Sequence, residues 1–164
     1  MTDSQDPVDK APLLHREEST TPDLVELARR LVEAGNARDT ADTPRSDQDR
    51  IDGVMRFFAP DTVFDNPDGV EVFEGRPAVR GFFEDWLGVY DELELRVEDV
   101  RDLGNGVVFS VVVQRGKPRG SPSWVHNRYA SVGVWVDGLI ERTTNYADID
   151  EARAAAERLA EERG

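Results

Sequence analysis

The sequence predicts an α+β fold, and three observations carry the prediction. Apolar residues recur at helical spacing through much of the first half of the chain. Alternating or continuous apolar runs, rich in β-branched and aromatic residues, fill most of the second half. Within that half, Asp137-Gly138 stands between two such runs, a strong short-range hairpin signal. Helices segregated from antiparallel strands define the class. A twisted sheet of roughly four to six strands, wrapped around a helix layer, would make a cone open at one end.

Residues 1–20 are polar and acidic, with Pro7 and Pro12, and bury too little apolar surface to order themselves. They are expected to form a flexible tail, with Leu13-Leu14 docking locally. Thr21 as N-cap, Pro22 in the first turn and Asp23 at the positive end of the dipole open a helix. Leu24, Leu27, Ala28, Leu31 and Val32 form its stripe, and Gly35-Asn36 ends it. Ala37 to Arg45 is a polar loop. Ser46 starts a second helix, with Asp49 a weak capping-box partner. Ile51, Val54, Met55 and Phe58 make its inner face, and Pro60 stops it. A short strand begins at Asp61, Asn66-Pro67-Asp68-Gly69 turns the chain, and Val70 to Phe73 is a second short strand. Gly75-Arg76-Pro77 opens a third helix, whose face carries Val79, Phe82, Phe83, Trp86, Leu87 and Tyr90.

From Glu92 to Asp102 apolar Leu93, Leu95, Val97 and Val100 alternate with charges, the pattern of a half-buried strand. Gly104-Asn105-Gly106 turns it. Val107 to Val113 is nearly all apolar and reads as a central strand. Gly116 to Pro122 reads as a Gly/Pro-rich loop, and Ser123 to Asp148 as the hairpin. Asp150 would cap a last helix with an Ala152, Ala156, Leu159 stripe, placed over one sheet edge or frayed. The chain thus divides into a tail (1–20), a domain (21–149) and a C-terminal helix (150–164).

Composition narrows the partners. With 34 acidic residues against 20 basic ones, the formal net charge is −14. Such a surface repels nucleic-acid phosphate and anionic lipid, so neither is an expected partner. Cysteine is absent, which removes disulfides, thiol nucleophiles and thiolate metal sites. The two histidines are not at ligand spacing, so no metal is expected. No apolar run approaches the roughly 20 residues of a membrane span. The N-terminus, MTDSQDPVDK, lacks the apolar segment of a secretory signal, and a cytoplasmic location is the default.

Three stretches point to a family. They are Phe57 to Pro67 (FFAPDTVFDNP), Phe73 to Val79 (FEGRPAV), and Val136 to Arg142 (VDGLIER) with Asn145 to Asp148 (NYAD). These resemble the SnoaL-like branch of the nuclear transport factor 2-like superfamily, which includes polyketide cyclases, ketosteroid isomerases and limonene-epoxide hydrolases. The resemblance spans about Pro22 to Asp148. It implies a cystatin-like cone, with a deep pocket between curved sheet and helices, commonly a homodimer through the sheet, and no cofactor. Ketosteroid isomerases place a general-base Asp just before a Pro in this turn; here Asn66 precedes Pro67 and Asp65 lies one further back. The epoxide hydrolases pair a Tyr with an Asn there; here Phe64 stands for the Tyr and Asn66 matches the Asn. Their Arg-x-Asp would fall near Val112-Val113-Gln114, and their last-strand Asp on Asn145.

The candidate catalytic residues are Asp65, Glu141 and His126; the candidate ligand contacts are Asn66, Trp86, Tyr129, Trp135 and Asn145. A carboxylate in an apolar cavity, Asp65 or Glu141, would have a raised pKa and move a proton. The alternatives are a turn Asp bonded to backbone and a cross-strand Glu–Arg pair. Asn66 and Asn145 would hold a ligand oxygen as uncharged donors, or serve ordinary turn and strand-end bonds. His126 is an acid–base group or a dimer-interface or surface residue. Trp86 belongs to a stripe that is either core or ligand wall. Hairpin register decides which side chains face inward. A two-residue turn sets Val134 opposite Glu141 and Ala130 opposite Asn145. A three-residue loop with a bulge sets Trp135 opposite Leu139 and Tyr129 opposite Asn145, with Ser131, Glu141 and Asn127 joining them; it makes the better pocket lining. Three functions fit: a cofactor-independent isomerase, cyclase or hydratase acting on an apolar oxygenated molecule; a non-catalytic ligand-binding or dimeric accessory protein; or an adaptor using the outer sheet face.

Overall fold

In the computed structural model, which describes residues 22–36, 43–66 and 71–164, three helices precede the long strands and a fourth closes the chain. Helices α1 (Leu24–Ala34), α2 (Asp47–Met55), α3 (Arg76–Gly88) and α4 (Ile149–Arg163) accompany strands β1 (Phe58–Asp65), β2 (Val72–Glu74), β3 (Tyr90–Asp102), β4 (Val107–Pro118), β5 (Val125–Val136) and β6 (Leu139–Tyr146). The strands form one curved, unclosed sheet in the order β2-β1-β6-β5-β4-β3. β1 runs parallel to β6, and the other neighbours are antiparallel. The α+β expectation therefore holds. The expected tail, Thr21, most of the loop after α1 and the turn residues Pro67, Asp68 and Gly69 lie outside the described residues.

Local chemistry accounts for the element ends. Asp23 caps α1, its carboxylate accepting from the Glu26 N–H at 3.1 Å. Ser46 caps α2 as expected, accepting from the Asp49 N–H at 3.0 Å. Gly75 and Pro77 open α3. Asp148, rather than Asp150, caps α4 by accepting from the Glu151 N–H at 2.9 Å. Three other boundaries differ from the sequence reading. Phe58 and Pro60 belong to β1 instead of the end of α2. Pro60 is tolerated because it falls where β1–β6 pairing is irregular, between Phe58 and Val63, so its missing N–H costs no ladder bond. Gly116 to Pro118 extend β4, since Gly116 pairs with both Leu93 and Val125. Tyr90 starts β3 rather than ending α3.

Two cores flank the sheet. The inner one joins α1–α3 to the concave face through residues such as Ile51, Val54, Phe58, Val79, Leu87 and Trp135. The outer one lies under α4: Ala152, Ala156 and Ala160 sit against Val107, Phe109, Val111, Ala130 and Val132. Thus α4 covers a face of the sheet and not an edge. β3 is the long edge strand, and Asn36 blunts it. Its amide donates to the Leu95 carbonyl at 3.1 Å and accepts from the Leu95 N–H at 2.7 Å. The Arg50 guanidinium, itself buried, donates to the Gly35 carbonyl from Nε (2.9 Å) and Nη2 (2.8 Å), closing the C-terminus of α1. No helix among the described residues is long and apolar enough to cross a membrane.

Candidate functional site

The alternation of β4, β5 and β6 presents one set of side chains to the helices, and there the structure holds a cavity of about 360 Å³. Leu31, Phe82, Phe83 and Trp86 supply its helix side, and Ser110, Gln114, Tyr129, Ser131, Thr143 and Asn145 stand on its sheet side. The size falls in the range of small-molecule sites, and so does the mixture of apolar wall and a few polar groups.

Hairpin register explains which residues reach it. Asp137 (φ 54) and Gly138 (φ 80) form a two-residue turn with both residues in the left-handed region, the requirement of the hairpin turn type that matches strand twist. Val136 pairs with Leu139 and Trp135 with Ile140, after which the ladder shifts and Val134 pairs with Arg142. Glu141 is the extra residue of this bulge. Neither expected register is the observed one: Asn145 lies opposite Ser131, not Ala130 or Tyr129. The bulge nonetheless keeps Asn127, Tyr129, Ser131 and Trp135 on the cavity side.

The expected site residues separate into two groups. Asn66, Trp86, Tyr129, Trp135 and Asn145 line the cavity. Asp65, Glu141 and His126 do not. Asp65 follows cavity-lining Phe64 in β1, so strand alternation turns it to the other face, where its carboxylate accepts from Arg142. Glu141 is exposed, because the bulge that holds it leaves no inward position. His126 is exposed on β5 opposite Arg115, beside a charged groove bordered by Glu33, Glu92 and Glu94. Among the described residues no carboxylate lines the cavity, and no cluster of His, Cys, Asp or Glu could hold a metal ion.

The polar groups on the cavity wall are neutral, Arg128 excepted, and that exposed guanidinium is paired with Glu98. Ser110, Ser131 and Asn145 are register neighbours across three strands. The Ser131 hydroxyl donates to Asn145 Oδ1 at 2.6 Å, which orients the amide and leaves it N–H groups to offer. Gln114 donates through Nε2 to the Tyr90 hydroxyl at 2.9 Å. Burial pushes the Tyr129 phenol up to about 12, so it stays protonated at neutral pH. Thr143 Oγ1 is fully buried and has no hydrogen-bond partner. Ser110, Gln114 and Thr143 were not singled out by sequence reasoning, and Ser131 was expected on the pocket face only in the bulged hairpin register. Of the three that were missed, Ser110 carried a usable signal, as the one polar residue inside the Val107 to Val113 run.

A family model described as the SnoaL-like domain matches residues 28–143. The chain belongs to the SnoaL-like family. A comparison with curated protein sequences finds no match. Solved structures of the same fold include an NTF2-like protein of unknown function from Burkholderia pseudomallei K96243. It has a TM-score of 0.62 and 16% identity, with 80% of this chain and 95% of that one covered. A putative SnoaL-like polyketide cyclase from Jannaschia sp. CCS1 has a TM-score of 0.59 and 17% identity, with coverage of 81% and 90%. An LEH-like epoxide hydrolase from M. tuberculosis has a TM-score of 0.58 and 15% identity, with coverage of 82% and 89%. At these identities the likeness is one of fold, and the SnoaL-like chain's function has to be argued from its own cavity.

Proposed function

We propose that this SnoaL-like protein binds one small, largely apolar, uncharged molecule between its helix layer and the concave face of its sheet. The observation that supports the reading is a cavity with aromatic and aliphatic walls and neutral polar groups, from which Asp65 and Glu141 are turned away. Trp86 and Trp135 would contact the apolar body of the ligand, and Asn66, Tyr129 and Asn145 its oxygen atoms. An ionised ligand would lose its hydration without gaining an unpaired counter-charge. Binding without proton transfer by Asp65, Glu141 or His126 is thus favoured over isomerase, cyclase or hydrolase chemistry run by those groups. The cyclase and hydrolase neighbours named above supply that second possibility only by fold.

The neutral naphthalene dye prodan is a suitable probe. Val112 lines the cavity at mid-strand in β4, so Val112→Phe fills space the dye needs. The variant is expected to weaken prodan binding at least tenfold in a fluorescence titration while still unfolding cooperatively. Asp65→Asn, on the other face, is expected to change affinity less than twofold. Equal binding by wild type and Val112→Phe would place the dye elsewhere and sink the reading.

The homodimer implied by family resemblance belongs to the same proposal. Two copies meeting through the sheet would use the part of the outer face that α4 leaves open, near Arg115, Lys117 and Arg128. Those groups form ion pairs with Glu94, Glu92 and Glu98. Light scattering after size exclusion is expected to give twice the chain mass, more completely at moderate than at low salt, because salt screens the repulsion between two copies of net charge −14.

A further inference from the structure

We infer that Gln114 forms a polar subsite at the Tyr90 end of the cavity, where its side-chain carbonyl accepts a hydrogen bond from an uncharged hydroxyl or N–H group of the bound molecule. The inference rests on the cavity-binding reading and adds to it a specificity-determining residue and the kind of group that residue selects.

The geometry begins at Gly116 in β4. A Cβ built there would stand 2.6 Å from Tyr90 Cδ1 and 2.7 Å from Tyr90 Cε1, so the Tyr90 ring lies against the glycine backbone and a side chain would displace it. In that place the Tyr90 hydroxyl accepts from Gln114 Nε2 at 2.9 Å and fixes the amide. Gln114 stands in register between Leu95 of β3 and Asn127 of β5, and all three line the cavity. The next inward row holds Val112 and Tyr129, and the one beyond it Ser110, Ser131 and Asn145. Gln114 is thus separated from the Asn145 row by roughly 13 Å along the strand, too far for one ligand atom to reach both.

Gln114 is only 6% exposed. Its amide carries an acceptor oxygen and an NH₂ group that donates. The nitrogen is engaged by Tyr90, and Oε1 forms no hydrogen bond among the described residues. Unlike the Thr62 and Thr143 hydroxyls, Oε1 is not sealed off and keeps open surface. The space that Gln114 borders is the cavity, so that surface is reached from the ligand's side. A molecule that covers Oε1 strips it of water, and an acceptor covered without a donor weakens binding. A hydroxyl or N–H group restores the bond, whereas an ether or hydrocarbon of similar shape does not, and a site that bonds such a group rejects the analogue lacking it. Among the described residues no carboxylate lines the cavity. An ammonium donor would therefore be desolvated without a counter-charge, and the group selected is uncharged.

Three naphthalenes separate the possibilities in competition against prodan: 2-naphthol, which donates; 2-methylnaphthalene, which has a methyl group in place of the hydroxyl; and 2-methoxynaphthalene, which keeps the oxygen and has no donor. 2-Naphthol is expected to compete roughly tenfold better than either of the others, since one hydrogen bond to an otherwise unpaired acceptor distinguishes them. Gln114→Met, close in shape and without the carbonyl, should shrink that preference at least threefold. It should leave 2-methylnaphthalene unchanged or bound more tightly, which shows that the cavity itself is intact. Gln114→Leu serves in its place if the methionine variant does not unfold cooperatively, and the comparison on wild type needs neither. The subsite is overturned if 2-methylnaphthalene or 2-methoxynaphthalene competes with wild type as well as 2-naphthol does, or if removing the Gln114 carbonyl retains the full preference. Failure of the cavity reading looks different: prodan then fails to bind, or binds Val112→Phe as well as wild type, and both conclusions fall together.

Discussion

Replacing Phe109 by alanine is expected to destabilise the protein by about 3–5 kcal/mol, read as a drop in denaturant midpoint at unchanged slope. Phe109 has no exposed surface. It points from β4 to the outer face, where α4 closes over it, and the Arg153 guanidinium lies 5.4 Å from its ring centre. The three alanines of α4 at 152, 156 and 160 let the helix backbone approach the sheet closely. They also leave nothing that could expand into the space of a deleted ring, and a site that cannot collapse bears the full cavity cost. Phe83 supplies the contrast. It packs on Phe58, Phe64, Phe82 and Trp86 at centroid distances of 5.4–6.1 Å, yet one side faces the cavity. With fewer partner atoms to lose, Phe83→Ala should cost only about 2 kcal/mol, while its effect on prodan binding should be large. A loss at Phe109 no greater than that at Phe83 would mean that α4 is not held on the sheet.

Different physical levels explain what the sequence disclosed and what it hid. Local signals were legible. The Ser46 cap and the Asp137-Gly138 turn depend on a few adjacent residues, and both are found where the pattern put them. Helix stripes and strand alternation gave the α+β class because they report which face is buried, not what covers it. Partner choice was not legible. That β1 runs parallel to β6, more than seventy positions away, follows from no nearby residue. The Ala152, Ala156 stripe of α4 marked a close approach without saying to which part of the sheet. Strand parity decides which of two neighbours reaches the cavity. Asp65 and Phe64 are neighbours on a strand, so one of them must face away from the cavity, and the apolar ring is the cheaper group to bury. The bulge that expels Glu141 depends on the whole β5–β6 ladder. The inward placement of Asn145 and Tyr129 was legible because each lies in a run whose other side is plainly apolar, whereas Thr143 resembles any β-branched strand residue.

Raising the pH from 10 to 12 is expected to remove about 2–3 kcal/mol of stability through one residue. The phenol of Tyr129 is pushed up to about 12, from an ordinary value near 10, by desolvation against the cavity wall. Its neutral form is thus favoured in the folded chain. That contribution is fully present below pH 10, where the phenol is protonated in both states. Above pH 10 the unfolded chain loses the proton first, and stability declines until the folded chain follows near pH 12. Each unit of separation is worth about 1.4 kcal/mol, which sets the size of the loss. Tyr146 is also raised, first by burial and then by the charges of Asp65 and Glu151, and it adds to the decline in the same direction. The comparison that isolates Tyr129 is therefore the difference between wild type and Tyr129→Phe in urea midpoints taken at pH 9 and pH 11.5. The two proteins should differ by less than about 1 kcal/mol at pH 9, and Tyr129→Phe should lose markedly less at the higher value. Parallel losses in both proteins would mean that the Tyr129 hydroxyl is open to bulk water. The cavity wall would then be wetter than its lining residues imply, and the case for an uncharged ligand would weaken with it.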